Sequence, residues 1–136
     1  RLLTLRGFHR LLPDGGLLLF SSHNRRFREA RRLPLRPDGR SPVRVAKDAA
    51  RLLVASRSAI RRQEVETERY ALVNDSGHNF RLLHYHVHRE HQLDQLRTCG
   101  FEPVGAWAED GRELGSGDVA DASAGPSIVY LARAIS

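Results

Sequence analysis

Arg6-Gly7-Phe8-His9-Arg10-Leu11-Leu12-Pro13-Asp14-Gly15-Gly16-Leu17-Leu18-Leu19-Phe20-Ser21-Ser22-His23-Asn24 is the stretch on which the fold turns. Leu2, Leu5, Phe8 or His9, and Leu12 recur at helical spacing, which predicts an amphipathic helix over residues 1 to 12. Pro13 cannot continue the helical ladder and Gly15 and Gly16 accept positive φ, so the helix stops there. Leu17 to Phe20 is then a continuous apolar run of strand length. A strand covered on both faces of a parallel sheet needs such a run. The polar residues Ser21, Ser22, His23 and Asn24 follow at its carboxyl end, where open α/β sheets hold their ligands.

Working outward, residues 25 to 40 read as a loop, with Pro34, Pro37 and the Asp38-Gly39 turn signal. Ser41-Pro42 is a good helix start, and Ala46, Ala49, Ala50, Leu53 and Val54 give that helix an apolar face to about Arg62. Tyr70 to Val73 reads as a strand, Asn74 to Gly77 as a turn, and Leu82 to Val87 as a second strand paired with the first. Residues 88 to 99 form a helix with Leu93 and Leu96 inward, ended by Gly100. Phe101 to Trp107 is the next strand, and 108 to 125, rich in Gly, Asp, Ser and Ala, a mobile loop. In the closing strand Ser127 to Ala134, Ile128, Tyr130 and Ala132 alternate with Val129 and Leu131. The last two strands are expected to form an antiparallel pair on the sheet edge.

The chain has 136 residues, enough for one domain but small for a complete α/β enzyme. No run approaches the ~20 apolar residues of a membrane span and no signal peptide opens the sequence. The single cysteine, Cys99, allows no internal disulfide and fits a reducing cytoplasm. It reads as a small buried residue rather than a nucleophile. There is no Met, and Arg1 lies inside an apolar-periodic segment, so the chain is expected to begin in mid-protein. The net charge of +6 is uneven. Residues 25 to 62 carry 13 Arg or Lys against Glu29, Asp38 and Asp48, a local +10 that leaves −4 for the remainder. Such a block suits nucleic acid or another anionic surface, but Phe27 is its one aromatic for base stacking, which favours a solvated Arg-rich insertion.

Helix, Leu-Leu-Pro-Asp-Gly-Gly, then an apolar strand resembles the fourth helix and fifth strand of class I S-adenosylmethionine-dependent methyltransferases. The segment from Tyr85 to Phe101 resembles the helix leading into their sixth strand, where Gly-Phe commonly opens the strand. Ser127 to Ala134 resembles the antiparallel seventh. Tyr70 to Phe80 with Leu82 to Tyr85 resembles a subset with an insertion after the fifth strand. The resemblance implies one α/β domain over 1–136, the C-terminal part of a Rossmann-like sheet with a helical, Arg-rich insertion at about 25–66. It also implies a small-molecule methyl acceptor, S-adenosylmethionine as cofactor, and the missing N-terminal half of the same domain as partner. The family's Gly-rich cofactor loop and ribose-binding acid have no counterpart here. Gly115-Ser116-Gly117 follows no strand–helix unit. The fragment alone is therefore expected to be inactive.

Three groups are candidates for the acceptor pocket. His23 and Asn24 end the fifth-strand equivalent, where a His that titrates near neutrality could orient or deprotonate an acceptor. Asp75, His78 and Asn79 lie in a polar turn, where Asp75 and His78 would line the acceptor pocket as base and orienting partner, although turn chemistry alone explains most of it. His84, His86 and His88 alternate along a strand, with His91 following. Period two places the first three on one face at roughly 7 Å spacing. His84 and His86 are candidates for substrate contact. A His-rich metal site with Glu90 is the alternative, though collinear ligands need other strands to converge on one ion. Tyr85 falls on the opposite face and reads as core.

Overall fold

The computed structural model describes residues 1–30, 43, 46–47, 49–50, 54, 62–74, 82–115 and 119–136. The first helix, α1 (Leu2–Leu11), buries Leu5 and closes on the Leu12 N–H, which donates to the His9 carbonyl. Gly15, at φ +77°, turns the chain into β1 (Leu17–Asn24). β1 runs on through Ser21 to Asn24, beyond the apolar run that marks it in the sequence. A partner strand lies alongside all the way, and the Asn24 N–H donates to the Pro126 carbonyl.

A short helix, α2 (Arg25–Ala30), follows at once, where the sequence suggests a loop. Asn24, anchored through Nδ2–H to the distant Gly125 carbonyl, accepts the Arg26 N–H at Oδ1 at 3.1 Å and so satisfies a first-turn amide as an N-cap does. Next come β2 (Val65–Glu66), β3 (Tyr70–Val73), β4 (His84–Val87), α3 (Arg89–Thr98), β5 (Phe101–Ala108) and β6 (Ser127–Ala134). Together they make a mixed α/β fold with one six-stranded sheet, in the order β2-β3-β4-β1-β6-β5. β1 and β4 are parallel; every other neighbouring pair is antiparallel. The expected hairpin-like pair is β3–β4, and the expected antiparallel edge pair is β5–β6.

β5 slips register between Pro103 and Gly105. Proline cannot donate to the ladder, and Trp107 folds over Gly105, where a Cβ would come within 2.4 Å of its ring. The described residues after β5 are held by backbone hydrogen bonds, where the sequence suggests a loose loop. Ala108 N–H donates to Arg112 O, Leu114 N–H to Ala106 O and Glu109 N–H to Ala124 O, and Val119–Ala124 is a 3₁₀ helix.

The main core cluster lies on one face of the sheet. Leu5 of α1 and Leu96 of α3 pack with Phe101, Ile128, Tyr130 and Ala132, and Leu18 and Phe20 of β1 lean on the same cluster. Phe20 stacks on Tyr130 at 5.4 Å, and His9 meets Phe101 edge-on at 5.2 Å. The opposite face of β1 is bare, with Leu17 57% and Leu19 67% exposed. The strand expected to be covered on both faces is thus covered on one.

Gly100, at φ +86°, ends α3 in a left-handed turn, and a Cβ there would come within 2.5 Å of His9 Nε2. That nitrogen also pairs with the Ile135 carbonyl at 3.0 Å. Gly111 has the same conformation, φ +85°, in open space. Gly111→Ala is expected to cost about 1 kcal/mol, the left-handed penalty alone. Gly100→Ala should cost about 2–3 kcal/mol because the His9 ring must also move. Urea unfolding of both variants checks the difference; equal losses would place the cost in the backbone alone.

Candidate functional site

The register of β1 decides where its polar end points. The Gly16 carbonyl accepts from the Ala134 N–H and the Asn24 N–H donates to Pro126, so even-numbered residues of β1 bond to β6. Odd-numbered residues turn their backbone groups to the other edge and their side chains to the bare face. His23 is therefore presented outward. On that other edge β1 meets β4 at two positions, His23↔His86 and Asn24↔Val87. His84 lies two residues back on the same face as His86.

The three imidazoles come together as a stack. The His23 ring lies 5.1 Å from His84 at an interplanar angle of 6°, and 5.1 Å from His86 at 29°. His86 is buried, His84 half-buried, and His23, the ring between them, exposed. An exposed imidazole backed on both sides can accept a proton and orient a bound hydroxyl or amine.

Where β1 and residues 82–85 diverge, a cleft of about 360 Å³ opens between Ser21–His23 and Leu82–Tyr85, with Arg1 and Ser127 also lining it. On its helical side, Tyr85 stacks on Tyr70 at 5.4 Å, and its hydroxyl accepts the Gln95 Nε2–H at 2.8 Å. The Arg1 guanidinium lies 5.4 Å above the Phe20 ring and 5.3 Å above Tyr85 and donates to Gln92 Oε1 at 2.7 Å. Burial pushes the Arg1 pKa down, with the Tyr85 and Tyr130 hydroxyls partly opposing.

The remaining candidates fall elsewhere. Asn24 is 1% exposed, and its amide is engaged at both ends: Nδ2–H to the Gly125 carbonyl at 3.1 Å and Oδ1 from Arg26. It joins β1 to α2 and to the residue before Pro126 rather than facing the cleft. His88 leaves the strand as the extended residue before α3, its ring 6.2 Å from His91, so the expected three-His face holds two members. Asp75, His78 and Asn79 lie outside the described residues. Among the described residues no three His, Cys, Asp or Glu side chains are placed to hold a metal ion.

Sequence reasoning missed Arg1 and Arg89 as parts of this region, and marked Ser22 only as one of four polar residues at the end of the strand. Arg89 is buried and donates to the Leu114 and Gly115 carbonyls at 3.0 and 2.8 Å, tying α3 to the turn after β5. Gln92 could have been found: it sits one residue before the inward-facing Leu93, and a Gln beside an apolar helix face asks for a polar partner. The chain matches no protein-family model, no curated protein and no solved structure.

These placements separate structural from functional residues. Asn24→Ala should cost about 1–3 kcal/mol, through a lost cap and an unpaired Gly125 carbonyl. His23→Ala, at an exposed position, should stay within about 0.5 kcal/mol of the parent. Chemical denaturation of the two variants is the check. A His23→Ala loss as large as that of Asn24→Ala would make His23 a structural residue.

Proposed function

We propose that this chain is the acceptor-binding, C-terminal half of a class I S-adenosylmethionine-dependent methyltransferase domain. One observation carries the reading: β1 is half-finished. Among the described residues it is paired with β6 from Leu17 to His23 along one edge, but along the other only with β4, at two positions. Its Leu17 and Leu19 side chains face solvent, while α1 and α3 both cover the other side. An apolar parallel-type strand is normally flanked on both edges and covered on both faces. The first half of a Rossmann-like domain would supply the missing neighbour and the missing helices. The antiparallel last strand, β6, lying between β1 and β5, agrees with the resemblance drawn from the sequence.

The described residues do not form a cradle for the cofactor. β1 passes into α2 through Asn24-Arg25, and β4 into α3 through His88, with no glycine at either junction to let a nucleotide approach the backbone. Cofactor binding is therefore assigned to the other half. When bound there, S-adenosylmethionine supplies an electrophilic methyl group. The residues of this chain hold the acceptor at the carboxyl end of β1, and His23, backed by His84 and His86, takes or orients the acceptor's proton. Holding the acceptor in line contributes much of such an acceleration.

The basic block gives the nucleic-acid reading less support. Within it, Arg28 pairs with Glu66 at 2.6 Å, Arg26 with Glu90 at 3.6 Å, and Arg25 is buried.

The test uses the product of the whole coding region that contains this chain. It is expected to bind S-adenosylmethionine in equilibrium dialysis and to move radiolabelled methyl groups into the small-molecule fraction of a cell extract. His23→Ala should lower the transfer rate by about 10²- to 10⁴-fold with cofactor affinity unchanged. Absence of cofactor binding, or an unchanged rate in His23→Ala, would contradict the reading.

A further inference from the structure

The cleft between β1 and β4 is charged on one side of the ledger only. Its polar lining includes Arg1, Ser22, His23, His84, Tyr85 and two further serines, and it contains no carboxylate among the described residues. Arg1 occupies its helical side. The guanidinium is answered by the neutral Gln92 Oε1 and by the faces of Phe20 and Tyr85, with no Asp or Glu at ion-pair distance among the described residues. Ring faces and an amide oxygen compensate a partly buried cation only in part. The lowering of its pKa by burial has the same origin. Gln92 is itself fully buried and holds one N–H of the guanidinium, which fixes the fork while leaving other donors for a ligand.

A second observation comes from β1. The Ser22 hydroxyl oxygen is buried, borders the same cleft, and has no hydrogen-bond partner among the described residues. Buried hydroxyls in folded proteins are almost always paired. An oriented guanidinium and an unpartnered hydroxyl lining one cleft, with no carboxylate there among the described residues, make the donor set that recognises an anion. At about 360 Å³ the cleft is at the small end of the ~300–1,000 Å³ range of small-molecule sites.

We propose that this cleft binds a small acidic molecule, its carboxylate or phosphate at Arg1 and Ser22 and its remaining atoms directed toward His23 and His84. Identifying that molecule as the methyl acceptor rests on the methyltransferase reading; the anion site does not. A carboxylate would meet the Arg1 fork with two parallel hydrogen bonds, and a phosphate would add a third oxygen for Ser22.

The experiment follows the His23 and His84 ring protons by NMR while the purified chain is titrated with succinate or with inorganic phosphate, at constant pH and ionic strength. Saturable shifts are expected with at least one anion, and the tighter of the two identifies the headgroup. Arg1→Gln should weaken binding tenfold or more, and Ser22→Ala severalfold. Arg133→Gln, which removes an exposed partner of Glu102 at 3.6 Å, should bind as the parent does. Linear, unsaturated shifts with both anions would overturn the proposal, as would parent-like titration of a folded Arg1→Gln. If that variant does not fold, parent-like binding by Ser22→Ala overturns it instead. Saturable anion binding in a chain whose full-length product transfers no methyl group would keep the anion site and remove the acceptor assignment. Methyl transfer without anion binding would do the reverse.

Discussion

The antiparallel pairing of β1 with β6 is the constraint on which the rest depends. It runs from Leu17↔Arg133 to His23↔Ser127 without a slip. Because a strand alternates both its side chains and its backbone groups, this one register settles four things. It sends Leu18 and Phe20 into the core beside Tyr130, and Ser22 and Asn24 to buried positions. It leaves Leu17 and Leu19 on the bare face, their amides on the open edge. A shift of one residue would bury His23 and expose Asn24. The junction with α2, the tie to Gly125 and the imidazole stack would all be lost with it.

The same pairing explains why the cleft lies where it does. β4 reaches β1 only at the last two residues of the strand, so the two backbones part toward Ser21 and Leu83. Side chains from both faces of the sheet border that gap. His23 and His84 reach it from the bare face, and Arg1, held by Gln92 and two rings, from the helical face. A ligand there would meet a fixed cation on one side and a proton acceptor on the other.

Much of the fold was legible because its signals are local. Pro13 and Gly15 stop α1, Gly100 ends α3, and the alternation of Ile128, Tyr130 and Ala132 marks β6; each works within a few residues of itself. What escaped depends on partners far away in the chain. Ser21 to Asn24 continue β1 because β6 lies more than 100 residues on, and α2 starts because Asn24 has a place to anchor its amide at Gly125. Of the site, the meeting of His23 with His84 and His86 could not be read from spacing, since it needs the parallel β1–β4 contact. His88 departs from the strand pattern because α3 needs an extended residue before its first turn. Arg1 carries no local signal at all; its role comes from Phe20, Tyr85 and Gln92 closing around it.

The half-finished state of β1 is the central claim, and amide hydrogen exchange along that strand tests it most directly. In the chain by itself, the amides of Leu18, Phe20 and Ser22, which face β6, should be protected, and those of Leu17, Leu19 and Ser21 should exchange freely. Uniform protection from Leu17 to Ser22 would mean that a neighbour already covers the open edge, and would contradict the account.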